Sequence, residues 1–148
     1  MAERKLEELN MDCLVNVFGR LEIESLLLGV PFICKSWYNA TLNPLCWQHL
    51  DFPCEISDSF KSRLVDEYRL QKFDATGLIK FVVNRSGGKA VSLVLPSCSK
   101  KEAFICAAEG CPALKFLTLP DDLHWGELHI LPSLMSKWKN LLMLRLGS

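Results

Sequence analysis

The nine residues AVSLVLPSC, 90–98, set the pattern that organises the second half of this chain. Leucines alternate there with other residues, so a short strand would bury one face and leave the other face exposed. The pattern returns in LKFLTLPDD, 114–122, and in LLMLRL, 141–146. The central leucines of the three copies lie 24 and 27 residues apart: Leu93, Leu117 and Leu144.

This spacing is typical of leucine-rich repeats, which pair each strand with a helix over a period of roughly 20 to 29 residues. The intervening segments KKEAFICAAEGC and HILPSLMSKWKN are predicted to form helices on the outer side. HLDF, 49–52, alternates in the same way and predicts an earlier strand, with Leu50 in the role of Leu93. We therefore expect an α+β solenoid, a partial α/β horseshoe over residues 51–148.

The residues between the buried leucines are predicted to point to the concave side of this solenoid. The repeat offsets align them in two rows, one of Ser92, Phe116 and Met143, the other of Val94, Thr118 and Arg145. Large apolar side chains and arginine are the residues that most often anchor a partner protein. The candidate substrate-binding residues are Phe116, Met143 and Arg145.

The chain ends at LLMLRLGS, 141–148, with no helix after the last predicted strand. An uncovered strand exposes apolar side chains and unpaired backbone groups. We therefore expect an incomplete array, either because the chain is a fragment or truncated product, or because a partner completes the sheet.

Residues 9–50 are mainly apolar and are predicted to form short helices. Asn10 is a suitable cap for a helix with Leu14, Val17, Phe18 and Leu21 on one face, and Met11, Val15 and Phe18 form a second apolar stripe. A further helix is expected over 23–30, and another from Pro31 with a stripe of Val30, Ile33, Cys34 and Trp37. So small a module needs a cover for this apolar surface, from the downstream half or from a partner.

The landmarks of this module resemble those of the F-box family. Leu9, MDCLVNVFGRL (11–21), ICKSW (33–37) and LCW (45–47) follow in the family's order and near its spacing. The family usually has proline where this chain has Asn10. The resemblance divides the chain into an N-terminal tail, 1–8, an F-box, 9–50, and leucine-rich repeats, 51–148.

An F-box followed by leucine-rich repeats is similar to the plant substrate receptors of SCF ubiquitin ligases. The resemblance implies a non-catalytic subunit whose box binds a Skp-type adaptor, and through it a cullin, while the repeats hold an unknown substrate protein. A stand-alone repeat scaffold with a helical N-terminal cap is the alternative. The implied adaptor-binding residues, divided between the interface and the box's own core, are Leu9, Asn10, Met11, Leu14, Val15, Phe18, Ile33, Cys34 and Trp37.

Composition argues against several other functions. The 17 acidic and 17 basic residues balance, so no net charge favours nucleic acid. The N-terminal segment is charged and does not have the pattern of a signal peptide. No apolar run is long enough to cross a membrane. The seven cysteines form no C-x-x-C pair, which indicates reduced thiols in the cytoplasm or nucleus. His124 and His129 are five residues apart, off the spacing of a helical zinc pair, so we expect no metal and no cofactor.

Two tryptophans in the box raise the question of what their rings contact. Trp37 is predicted to pack inside the box or against the adaptor. Trp47, which precedes HLDF, is predicted to seal the box onto the first repeat.

Overall fold

The computed structural model describes residues 10–97, 99–120 and 129–146. In these ranges the chain forms seven α-helices, two short 3-10 turns and four strands. The helices are α1 (Met11–Phe18), α2 (Ile23–Leu28), α3 (Lys35–Thr41), α4 (Asp58–Glu67), α5 (Ala75–Ser86), α6 (Lys101–Gly110) and α7 (Leu131–Met135). The 3-10 turns are Val30–Phe32 and Pro44–Trp47, and the strands are β1 (His49–Asp51), β2 (Ser92–Val94), β3 (Phe116–Leu119) and β4 (Met143–Leu146).

Helix α1 begins where its sequence predicts. The side chain of Asn10 accepts a hydrogen bond from the Cys13 backbone N–H at 2.8 Å, which satisfies one of the free donors of the first turn. The predicted face that includes Val17 is wrong, because Val17 is 53% exposed. Val15, two residues earlier, lies on another side of the helix and is buried with Leu14 and Phe18.

The predicted helix from Pro31 is also corrected. Val30–Phe32 forms a 3-10 turn, and the backbone at Cys34 is extended, with φ −161° and ψ 169°. Helix α3 therefore begins at Lys35, and the preceding helix α2 ends at Leu28 instead of reaching Val30. The expected stripe is broken, so that Val30 is buried while Ile33 is 56% exposed.

The four strands form one parallel sheet in the order β1-β2-β3-β4. The register pairs Leu50 with Leu93, Leu93 with Leu117, and Leu117 with Leu144. This confirms the repeat alignment, including HLDF as the first strand. The fold is thus rich in helix with a small parallel sheet, and the curvature of a horseshoe remains a prediction.

A single apolar core contains residues of both predicted modules, from Leu14 in α1 to Trp138 after α7. Trp47 lies in this core, 1% exposed, and its indole Nε1 donates to the Thr41 carbonyl at 2.7 Å. The boundary between residues 50 and 51 stays a prediction, and the tail 1–8 lies outside the described residues. Among the helices described, none is long and apolar enough to cross a membrane.

Candidate protein-interaction surfaces

The residues predicted to bind an adaptor separate into buried and accessible groups. Leu14, Val15 and Phe18 are buried in the core of the chain itself. Asn10, Met11 and Ile33 are exposed, and Cys34 and Trp37 are half-buried. Leu9 lies outside the described residues. The accessible members are therefore the ones that a partner could contact without unfolding the box.

Trp37 contributes to the box core and also retains accessible surface. Its ring meets the edge of the Phe18 ring, with centroids 5.4 Å apart and planes at 64°. This edge-to-face geometry is favourable for aromatic pairs and joins α1 to α3. The half-buried state of Trp37 is consistent with either of the two roles predicted for it.

Besides Val17, four exposed apolar residues of the box were missed by sequence reasoning: Phe32, Tyr38, Leu42 and Leu45. Phe32 was missed because a helix was expected where the chain forms a 3-10 turn. Tyr38 in α3 and Leu42 at its C-cap lie one helical turn apart and so point to the same side, a spacing that could have revealed them. They enlarge the apolar surface that the box presents.

Phe32 is held against the neighbouring helices by a chain of aromatic contacts. Its ring lies 6.2 Å from that of Tyr68, which lies 5.7 Å from that of Phe81. The Arg85 guanidinium stands 4.9 Å from the centre of the Phe81 ring. The Tyr68 hydroxyl donates to the Leu27 carbonyl at 2.7 Å, which ties α4 to α2. The position of Phe32 at the surface is therefore well supported.

The sheet presents a second surface, which we call the strand face, formed by the residues that point away from the helices. The register aligns His49, Ser92, Phe116 and Met143 in one row, and Asp51, Val94, Thr118 and Arg145 in the next. The two predicted rows are thereby confirmed as rows. Phe116 is 44% and Met143 53% exposed, and Arg145 is exposed as well.

Three polar residues of the adjacent strands β1 and β2 form a small network. The Ser92 hydroxyl donates to Asp51 Oδ1 at 3.4 Å and lies 3.1 Å from His49 Nδ1. His49 and Asp51 also line a groove of about 760 Å³ between α1 and β1. This groove therefore has residues of both the strand face and the box in its lining.

Two buried thiols, Cys46 and Cys111, are poorly suited to act as nucleophiles. Burial raises the pKa of Cys46 to about 11 and that of Cys111 to about 12, so both are protonated at neutral pH. A nucleophilic cysteine requires the opposite shift, toward the thiolate. The described ranges contain no group of three His, Cys, Asp or Glu side chains that could hold a metal. His129 is exposed, whereas His124, Asp121, Asp122 and Cys98 lie outside those ranges.

Comparison with known proteins gives relatives of a single kind. No protein-family model matches the chain. The chain is 28% identical to an F-box/LRR-repeat protein of Arabidopsis thaliana over 79% of its length, 26% identical to F-box protein FBW2 of the same plant over 79%, and 30% identical to F-box protein SKIP1 over 73%. It spans 40%, 34% and 35% of these relatives.

Short N-terminal helices that lead into parallel strands at a repeating interval fit the class of F-box proteins with leucine-rich repeats. The relatives agree with that class across most of the chain. The chain is an F-box protein of the plant F-box/LRR family, as its sequence motifs indicate.

Proposed function

We propose that this chain is a substrate-recognition subunit of an SCF-type ubiquitin ligase. Its box binds a Skp-type adaptor, and through it a cullin, while its strand face binds the target protein. Neither step involves chemistry by this chain, because a receptor acts by raising the effective concentration of its target near the enzyme.

The observation that carries the proposal is the surplus apolar surface of the box. Leu14, Val15 and Phe18 already fill the interior, yet Met11 is 43% and Ile33 56% exposed. Exposed apolar patches of this kind mark interaction sites. Met11 and Ile33 are also within the segments that resemble the family's adaptor-binding motifs, so they are the best candidates for the contact.

The test is adaptor binding by the variant Met11→Asp/Ile33→Asp. Both side chains are exposed, so the substitutions leave the core intact, but they place two charges in the proposed interface. We expect the affinity for a plant Skp-type adaptor, measured by calorimetry or by interferometry, to fall at least about tenfold. Leu142→Asp is the matched control, because Leu142 is 73% exposed and lies beside β4.

Unchanged adaptor affinity in the Met11/Ile33 variant would show that the box binds elsewhere. A chain that is soluble and monomeric alone, and that binds no adaptor, would instead support the stand-alone scaffold. The Leu142 control distinguishes specific from non-specific binding. Non-specific apolar binding would weaken equally in the Leu142 variant and in the Met11/Ile33 variant.

A further inference from the structure

The strand face carries opposite charges at its two ends. In the row that contains Asp51, the register runs through Val94 and Thr118 to Arg145. Asp51 on β1 and Arg145 on β4 are both exposed. The carboxylate and the guanidinium are separated by the full width of the described sheet, so they cannot pair with each other and remain available to a partner.

The carboxylate of Asp51 is held in place by its neighbours. The Ser92 hydroxyl donates a hydrogen bond to Asp51 Oδ1, which leaves the Ser92 oxygen to accept one from His49 when Nδ1 carries the hydrogen. This chain of donors orients the carboxylate at the edge of the face. A partner that pairs with Asp51 therefore meets a carboxylate that Ser92 already contacts on one oxygen.

Apolar side chains occupy the part of the face nearer to Arg145. Phe116 on β3 and Met143 on β4 are adjacent in the register and about half exposed. An aromatic ring beside a flexible thioether is a suitable contact for an apolar side chain of varied shape. The face thus offers, in order, an anion, an apolar patch and a cation.

The width of the sheet limits the conformation of a matching partner. Neighbouring strands lie about 4.8 Å apart, so β1 and β4 are separated by roughly 14 Å. Along an extended segment, side chains on one side recur at about 6.7 Å, so residues i and i+4 are about 13 Å apart. A helical segment rises about 1.5 Å per residue and would need nine or ten residues to match.

We propose that the partner binds the strand face as an extended segment laid across the strands. A basic side chain at one position pairs with Asp51, an acidic side chain four residues away pairs with Arg145, and an apolar side chain between them contacts Phe116. The groove beside Asp51 accommodates the segment beyond its basic residue. Calling this segment the substrate rests on the proposed receptor function, whereas the binding itself does not.

The experiment is selection from a displayed library of random twelve-residue peptides on the purified chain in complex with its Skp-type adaptor. Three forms are compared: the natural chain, Asp51→Lys and Arg145→Glu. The natural chain should enrich peptides with opposite charges four residues apart and an apolar residue between them. Arg145→Glu should select a second basic residue in place of the acidic one, and Asp51→Lys should select a second acidic residue in place of the basic one.

Several outcomes would overturn the inference. Enrichment that is the same on all three forms would show that these charges do not contact the peptide. Charges nine or ten residues apart would indicate a helical partner, and failure to enrich any peptide would show that the face does not bind extended segments. Near-ultraviolet circular dichroism of each form verifies that the exposed substitutions leave the fold intact.

Failure of the receptor function is recognised separately. If the adaptor does not bind, the selection is repeated on the chain alone, and a charge-patterned motif would then support a peptide-binding scaffold. If the adaptor binds and no motif appears, the receptor proposal stands and the strand-face inference is wrong.

Discussion

Cys111 has no exposed surface at the end of α6, and its backbone N–H donates to the Ala107 carbonyl at 3.0 Å. Burial raises the pKa of its thiol from 9.0 to about 12, with a smaller contribution from the nearby Cys106. The folded protein therefore keeps this proton over a pH range in which the unfolded chain releases it. The consequence is a dependence of stability on alkaline pH.

We expect the free energy of unfolding to fall between pH 9 and 12. The unfolded state binds fewer protons in this window, so the stabilisation is complete below pH 9 and is lost as the pH rises toward the folded value. One thiol contributes a slope of at most about 1.4 kcal/mol per pH unit. Urea unfolding of the natural chain and of Cys111→Ala measures it, and the variant should show a shallower decline. Parallel curves would mean that Cys111 does not titrate differently on folding.

Individual residues were predictable where a local rule governs them. Asn10 was predicted as a cap because its side chain needs only the following backbone N–H groups. The exposure of Ile33 was not predictable, since it depends on the extended backbone at Cys34, which interrupts the expected helical stripe. The exposure of Val17 was not predictable either. Helix α1 has two apolar stripes, and tertiary packing determines which of them is buried against the rest of the box.

Helices α5 and α6 approach each other closely at Gly110. A Cβ added to Gly110 would collide with Cγ1 of Val83, which is buried in α5. The position therefore requires glycine because of the space between the helices, although glycine is otherwise unfavourable in a helix. The distance between α5 and α6 therefore depends on the absence of a Cβ at Gly110.

The variant Gly110→Ala should destabilise the chain by about 1–3 kcal/mol, as expected for an overpacked core. Val83→Ala alone should cost about as much through loss of apolar burial and the cavity left behind. The double variant should be more stable than the sum of the two effects, because truncating Val83 creates the room that the new methyl group needs. Additive effects in urea unfolding would contradict the close approach.

At the level of elements, the strands were easier to predict than the connections between them. Strand positions followed from the alternation of leucines, and the register follows from the same period. Helix α4 follows a capping residue, Ser57, whose hydroxyl accepts from the Phe60 N–H at 3.1 Å. The close packing of α5 against α6 was not predictable from the sequence. Gly110 lies near a helix end, where a glycine is most often a cap.

The whole molecule is joined by contacts between the predicted box and the helices that follow it. Trp47 fills the junction, and Arg63 of α4 pairs with Glu24 of α2 at 3.1 Å, although this exposed pair adds little stability. The end of α5 lies against the second 3-10 turn, where a Cβ on Gly87 would approach Pro44 Cγ at 3.1 Å. One continuous core therefore joins the two halves, while no sequence pattern indicated that α4 and α5 would cover the box.

Truncation of Trp47 tests this junction. Trp47→Ala should reduce the free energy of unfolding by about 3–5 kcal/mol, through lost burial and an unfilled cavity. Trp47→Phe is the control, because it retains most of the ring and leaves the Thr41 carbonyl without its indole donor, at a cost of about 1–3 kcal/mol. Far-ultraviolet circular dichroism and the intrinsic fluorescence of the remaining tryptophans, Trp37, Trp125 and Trp138, should lose their signals together. Separate transitions would show that box and repeats unfold independently.

The shared junction limits how far the box could be exchanged between F-box proteins. A chimera cut after residue 50 would keep Trp47 and the Pro44 turn but would face foreign versions of α4 and α5. A cut placed after Gly87 would carry both covering helices with the box and would divide the chain at a connection between repeats. We therefore expect that a transferable segment must be longer than the F-box motif itself and must include the first repeat.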